Sequence, residues 1–387
     1  MAFTRRRFVE TLGVAGASVL GGRAHAAQGG PPYGAQTASP YARGGAPSPA
    51  DANLIRLDQN ESPYSPPPSV TKAVMEALTQ GNRYPRNIAD LVGALAKAHG
   101  VGRENVLLAS GSGELLRSAI PAFVDGKRPL VAGTPTFETC TRTAASMGLP
   151  VREIPVDASL RLDLPAMEDA AAGAGLLFFC NPNNPTGTTW PTKDVEAMID
   201  RLGQRSPETV VLVDEAYAQF VESKDYWSLA GRAAKDRRVL VTRTFSKACG
   251  LAGMRVGYAI GHKDTIAALR LTTTSGILPV TSIAAALAAL ADEAFVAQQV
   301  TANNQTRAFT TKTFEELGFK VFPSDANFIL VDVQRKPDEF AAACRERGFS
   351  VGRPFPGLAT HSRISIGTAE EMQKAAVAFK AILAKKA

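Results

Sequence analysis

A chain of 387 residues with 45% hydrophobic and 20% charged side chains has enough apolar material for a sizeable core, which excludes a disordered or fibrous protein. Its formal charge of +7 comes without any basic run interleaved with aromatics, which argues against a nucleic-acid partner. Four cysteines without scaffold spacing and four histidines that pair with none of them point to free thiols rather than to a disulfide framework or a metal centre.

Residues 1–26 differ in kind from the rest. Thr4-Arg5-Arg6-Arg7-Phe8-Val9-Glu10 precedes a mildly apolar, Gly/Ala-rich stretch from Leu12 to Gly22, and Ala24-His25-Ala26 forms a small-x-small cleavage signal. The segment resembles a twin-arginine export signal, with Val9 and Glu10 where that motif has Leu and Lys. The resemblance implies the twin-arginine translocation machinery as a partner and the periplasm as the place of action; a plain basic start or a general secretory signal is the alternative. Arg5, Arg6, Arg7 and Arg23 against Glu10 account for +3, leaving about +4 on the mature chain. Residues 27–52 are Gly, Pro, Ala and Ser with almost no large apolar side chains, the composition of a flexible linker. Beyond the N-terminus no apolar run reaches the ~20 residues of a membrane-spanning helix.

Residues 53–81 hold a Pro-rich arm, Ser65 to Pro68, and a helical pattern from Val70 to Leu78, expected to pack with the C-terminal part of the chain. Seven short apolar, β-branched runs then alternate with helical patterns: Val106 to Ala109, Pro129 to Ala132, Val151 to Val156, Leu176 to Cys180, Val210 to Asp214, Val239 to Thr242 and Val256 to Ile260. That alternation predicts an α/β fold, with a large domain over 82–280 built on a mostly parallel seven-stranded sheet between helices. From Thr281 to Leu317 the chain is Ala-rich and helical in period, with a bend. Asn327 to Val333, Phe340 to Arg347, Arg363 to Ile366 and Glu370 to Ala384 read as strand, helix, strand and helix, a smaller α+β domain over 281–387.

Ligands of open parallel sheets gather beyond the carboxyl ends of the strands, and the unusual residues fall there. Ala109-Ser110-Gly111-Ser112-Gly113-Glu114 lies between a strand and a helix, where backbone N–H groups and the helix dipole favour a phosphate. Asn181-Pro182-Asn183-Asn184-Pro185-Thr186-Gly187 follows a second strand, Asp214-Glu215-Ala216-Tyr217 a third, and Thr244-Phe245-Ser246-Lys247 a fourth, with Leu251-Ala252-Gly253-Met254-Arg255-Val256-Gly257-Tyr258 behind it. A lysine that forms a Schiff base must sit in a partly desolvated site so that its amine is neutral near pH 7; Ser246 and Arg255 are suitable phosphate donors. Each motif alone also reads as a turn, a helix cap or a surface lysine.

Taken in order, the motifs resemble the class I and II pyridoxal 5'-phosphate (PLP) aminotransferases of fold type I over residues 53–385. The resemblance implies PLP as cofactor, carried by Lys247, with Asp214 on the pyridine nitrogen, Tyr217 and Asn184 on the ring oxygen, and Phe137 stacked on the ring. It assigns the phosphate to Ser112, Gly113, Ser246 and Arg255. In Phe137 and Cys140 the chain departs from the tyrosines often found there. Arg363, in His361-Ser362-Arg363-Ile364, matches the arginine that clamps the substrate α-carboxylate, and Arg353 a second arginine near the substrate. Leu57-Asp58-Gln59-Asn60-Glu61-Ser62-Pro63-Tyr64 resembles the N-terminal segment of the histidinol-phosphate aminotransferase branch, with Ser62 in place of Asn. Arg83-Tyr84-Pro85 matches a segment whose tyrosine reaches the neighbouring subunit's phosphate, so Tyr84 implies a homodimer with composite sites. Histidinol phosphate belongs to the cytoplasm, so branch and export signal together imply recruitment to other amino compounds and 2-oxo acids. A lyase, decarboxylase or oxidase on the same scaffold is the alternative, and a non-catalytic PLP-binding protein a more distant one.

Overall fold

The computed structural model describes residues 53–273 and 277–384. The export-signal and linker expectations, on residues 1–52, lie outside the described residues.

Twelve strands are described: β1 Ile55–Leu57, β2 Val106–Ser110, β3 Leu130–Thr134, β4 Val151–Pro155, β5 Leu176–Cys180, β6 Val210–Asp214, β7 Val239–Thr244, β8 Val256–Gly261, β9 Lys320–Phe322, β10 Phe328–Asp332, β11 Phe349–Val351 and β12 His361–Ser365. All seven strands expected from the apolar runs join one sheet, in the order β2-β8-β7-β6-β5-β3-β4. Its neighbours from β4 to β7 pair parallel, and β8 runs antiparallel to both β7 and β2. The central strands β5, β6 and β7 are apolar up to their carboxyl ends because both faces are covered. Leu177, Phe179, Val211, Val213 and Val241 join one core cluster, and Leu176, Phe178, Leu212 and Leu240 the other, as the two-residue side-chain period requires.

The remaining strands form a three-stranded sheet, β12-β10-β9, and a parallel pair, β1-β11. Between them and the helices Glu293–Glu316, Pro337–Arg345 and Ala369–Leu383 lies a separate core, with Phe314, Phe340 and Phe379 in contact. The pairing of β1 with β11 ties the start of the described chain to this part. The arm's helix runs from Pro68 to Leu78, two residues earlier than the periodicity alone indicates, because a proline's fixed φ suits the first helical position. It packs on helix Val280–Ala291. That helix and Glu293–Glu316 meet at a bend of 79°. Together they have the length and composition of a broken membrane span, yet Ile283, Ala285, Ala286 and Ala289 are buried in the core that includes alternate side chains of the large sheet. Among the described residues no single helix is long and apolar enough to cross a membrane.

Candidate active site

Register places the sequence-predicted Asp214 between two strand neighbours. Cys180 at the end of β5 pairs with Asp214 at the end of β6, and Asp214 with Thr242 in β7. The Thr242 hydroxyl donates to Asp214 Oδ1 at 3.0 Å. Three residues past Asp214 the Tyr217 ring is buried, in T-shaped contact with Phe328. Lys247 follows β7, with Nζ 5.6 Å from the centre of the Tyr217 ring.

The opposite wall is a cradle. Gly111, at φ 76°, opens the helix Ser112–Phe123 and has no side chain with which to cap it. The Arg255 guanidinium stands where a β-carbon on Gly111 would be, and a β-carbon on Gly257 would strike the Ser112 backbone nitrogen. Both glycines are therefore needed for the helix start, β8 and Arg255 to close on one spot. Arg255 is itself at φ 53°, with Nη1 donating to the Ala252 carbonyl at 3.0 Å. Ser246 lies beside this strand end and accepts from the Thr244 hydroxyl at 2.9 Å. Uncapped amides of Ser112 and Gly113, a hydroxyl and a guanidinium fit a phosphate.

Arg363 enters from β12. Its Nη1 donates to Asn184 Oδ1 and its Nη2 to the Asp58 carbonyl, both at 2.7 Å, while the buried Nε has no partner. Asn184 is held in a loop braced by its neighbour Asn183, which donates to the Pro135 carbonyl at 3.1 Å and to Thr186 Oγ1 at 2.9 Å, and accepts from Thr136 Oγ1 at 2.7 Å. The brace leads directly to Phe137, which is half-buried. Arg353 lies at the rim, stacked on Phe355 and paired with Glu138. Tyr84 is 85% exposed and is not brought to the cluster within this chain.

Asn60 is a connecting residue that sequence reasoning missed. At φ 53° it turns its carbonyl to accept from Lys247 Nζ at 2.8 Å and its Nδ2 to donate to the Tyr217 hydroxyl at 3.0 Å. Ser365 Oγ accepts from the Asn60 amide at 2.8 Å and donates to Asn60 Oδ1 at 2.9 Å. The only signal for it was membership of the Leu57 to Tyr64 segment, which assigned it no contact.

Burial dominates the electrostatics. It pulls the Lys247 amine down to about 8, helped by the nearby Arg363 and Arg255 charges, so a useful fraction is neutral near pH 7. It pushes the Asp214 carboxyl up to about 7, against the Thr242 hydrogen bond and the Lys247 charge, and it raises the Tyr217 phenol. Arg363 is drawn down to about 10 by burial, still a cation at neutral pH. A buried carboxyl and a buried amine shifted toward each other in this way are the kind of perturbed pair that marks a functional site.

The model of the family "Aminotransferase class I and II" matches residues 52–379. A histidinol-phosphate aminotransferase of Symbiobacterium thermophilum is 35% identical, over 86% of this chain and 91% of its own length. The crystal structure of histidinol-phosphate aminotransferase from Sinorhizobium meliloti in complex with pyridoxal-5'-phosphate superposes with a TM-score of 0.79 at 28% identity, covering 86% of this chain and 92% of that one. L-threonine-O-3-phosphate decarboxylase from Porphyromonas gingivalis shares the fold at 19% identity, with a TM-score of 0.75 and coverage of 86% of this chain and 100% of that one.

Proposed function

We propose, since this chain belongs to the class I and II aminotransferase family, that it moves an amino group between an amino acid or related amine and a 2-oxo acid. It is a PLP-dependent enzyme similar to the histidinol-phosphate aminotransferases. The observation that carries the reading is a buried lysine, its amine drawn down to about 8, in one electrostatic cluster with the buried Asp214 carboxyl and with Arg255, which stands over the uncapped N-terminus of helix Ser112–Phe123.

In this reading Ser246, Arg255 and the amides of Ser112 and Gly113 bind the phosphate. Phe137 covers the ring, Tyr217 and Asn184 donate to its oxygen, and the Asp214 carboxylate keeps its nitrogen protonated. Bound PLP supplies an electron sink for negative charge at the substrate α-carbon. Arg363 orients the substrate by its α-carboxylate, and the unpartnered Nε gives it a donor to spare. Lys247 removes the α-proton and would return it two bonds away, to the cofactor carbon on the far side of the nitrogen. Tyr84 acts on the partner subunit's phosphate, which makes the working unit a homodimer.

Single turnover tests the reaction: enzyme loaded with PLP and given an amino donor, but no acceptor, releases about one equivalent of 2-oxo acid per site. Release of carbon dioxide instead supports the decarboxylase alternative, which the shared fold admits. The periplasm is the proposed place of action, supported by Arg5, Arg6 and the cleavage signal. Fractionation of cells making the full chain should find it outside the cytoplasm, and retained when Arg5 and Arg6 are both changed to Lys; wild-type protein in the cytoplasm refutes export.

A further inference from the structure

We propose that Glu138 is a specificity residue: by occupying Arg353 it weakens recognition of substrates that carry a second anionic group. The proposal rests on the aminotransferase reading, with Arg363 as the α-carboxylate anchor.

Two guanidiniums flank one ring. Arg363, 9% exposed, has its guanidinium carbon 5.1 Å from the Phe355 ring centre; Arg353, its side chain 39% exposed, lies 4.5 Å from the same centre. One cation is deep and the other at the rim, the arrangement that would receive a ligand with one carboxylate inside and a second anionic group outside. Their mutual repulsion contributes to the lowered proton affinity of Arg363, and Glu138 opposes it.

Glu138 already fills the outer position. Its Oε2 lies 2.6 Å from Arg353 Nη2 and 2.6 Å from Arg142 Nη2, and its side chain is 20% exposed. It directly follows Phe137, so it stands at the edge of the surface assigned to the cofactor ring. Arg353 does not depend on Glu138 for its place: Nη1 donates to the Pro354 carbonyl at 2.9 Å and the guanidinium stacks on Phe355. Removing the Glu138 charge therefore leaves a cation in position with one partner fewer.

An incoming carboxylate or phosphate must displace a tethered carboxylate or share its guanidinium at the cost of like-charge repulsion. A neutral or cationic side chain meets no such penalty. The favoured class is accordingly an amino acid or amine whose distal end is uncharged or positive, and dicarboxylic or phosphorylated substrates are disfavoured.

The test uses the PLP-loaded enzyme and non-reactive acids. Calorimetric titration with glutarate, a dicarboxylate, and butyrate, a monocarboxylate, is run on wild type, Glu138→Gln, Arg353→Gln and the double variant. Glu138→Gln should tighten glutarate about fivefold, the scale of a half-exposed ion pair, with butyrate changed less than about twofold and the glutarate gain shrinking as salt rises. In the Arg353→Gln background the gain should vanish. With dicarboxylic donors Glu138→Gln alone should lower KM at unchanged kcat. An unchanged ratio of glutarate to butyrate affinity in Glu138→Gln, or a gain that persists without Arg353, overturns the proposal. Binding is read without turnover, whereas failure of the aminotransferase reading shows separately, as absent 2-oxo acid release with a neutral amino donor.

Discussion

Asp214 allows the proposed pairing with the cofactor to be measured without catalysis. It is 2% exposed at the end of β6, and in the cofactor-free protein burial lifts its carboxyl from 3.8 to about 7. A group whose folded value is raised favours folding while it is neutral. Its contribution is complete below the ordinary value near 4 and is lost as pH rises through about 7. The rise corresponds to about 4 kcal/mol, a large share of the ~5–15 kcal/mol that stabilises a typical protein. Asp214→Asn keeps the shape and an oxygen to accept from Thr242, but does not titrate. Urea unfolding of cofactor-free protein between about pH 4 and pH 8 should show wild type losing roughly 3–4 kcal/mol more than Asp214→Asn. Adding PLP at the upper pH should reverse the order, because a protonated ring nitrogen beside the carboxylate turns the buried charge into a pair. The variant gains less from PLP than wild type does. Identical pH profiles for the two cofactor-free proteins, or equal stabilisation by PLP, would refute the reasoning.

Lys247→Ala should prevent borohydride from fixing PLP to the chain, read by peptide mapping, and lower transamination by roughly 10³-fold or more; in wild type the rate at which added PLP combines with the cofactor-free enzyme should climb through about pH 8, where the amine loses its proton. Arg363→Gln should cost about 10- to 100-fold in kcat/KM, chiefly through KM, for substrates with an α-carboxylate, and little for amines that lack one; equal losses for both place Arg363 outside substrate binding. Tyr84→Ala and Lys247→Ala should each be impaired, and chains of the two mixed under exchange should regain activity, because one site of the hybrid dimer carries neither lesion. No recovery in a hybrid confirmed by mass would remove Tyr84 from a composite site.

The centre of the large sheet was legible because β5 and β6 are buried runs of five residues, apolar but for the terminal Asp214, so composition alone marks them; the edge strand β4, Val-Arg-Glu-Ile-Pro, has no buried residue and shows only in the alternation. The strands β1, β9 and β11 have three residues each, too few for a period, and β1 exists only through its pairing with β11 from the far end of the chain. The site divides the same way. Asp214 and Lys247 end or follow readable strands, while Gly111 is required by its positive φ and the Arg255 guanidinium, and Gly257 by the Ser112 backbone. Asn60 acts through a carbonyl turned by its positive φ, and Glu138 through an arginine 215 positions away; neither contact leaves a local pattern. Lys247 and Arg363 are bound to backbone carbonyls of one three-residue run, Asp58 to Asn60. The same run reaches Tyr217 and Ser365 through Asn60. The amine that a cofactor would engage and the guanidinium that a carboxylate would engage are thus tied to the same segment, so loosening it at one end bears on the other.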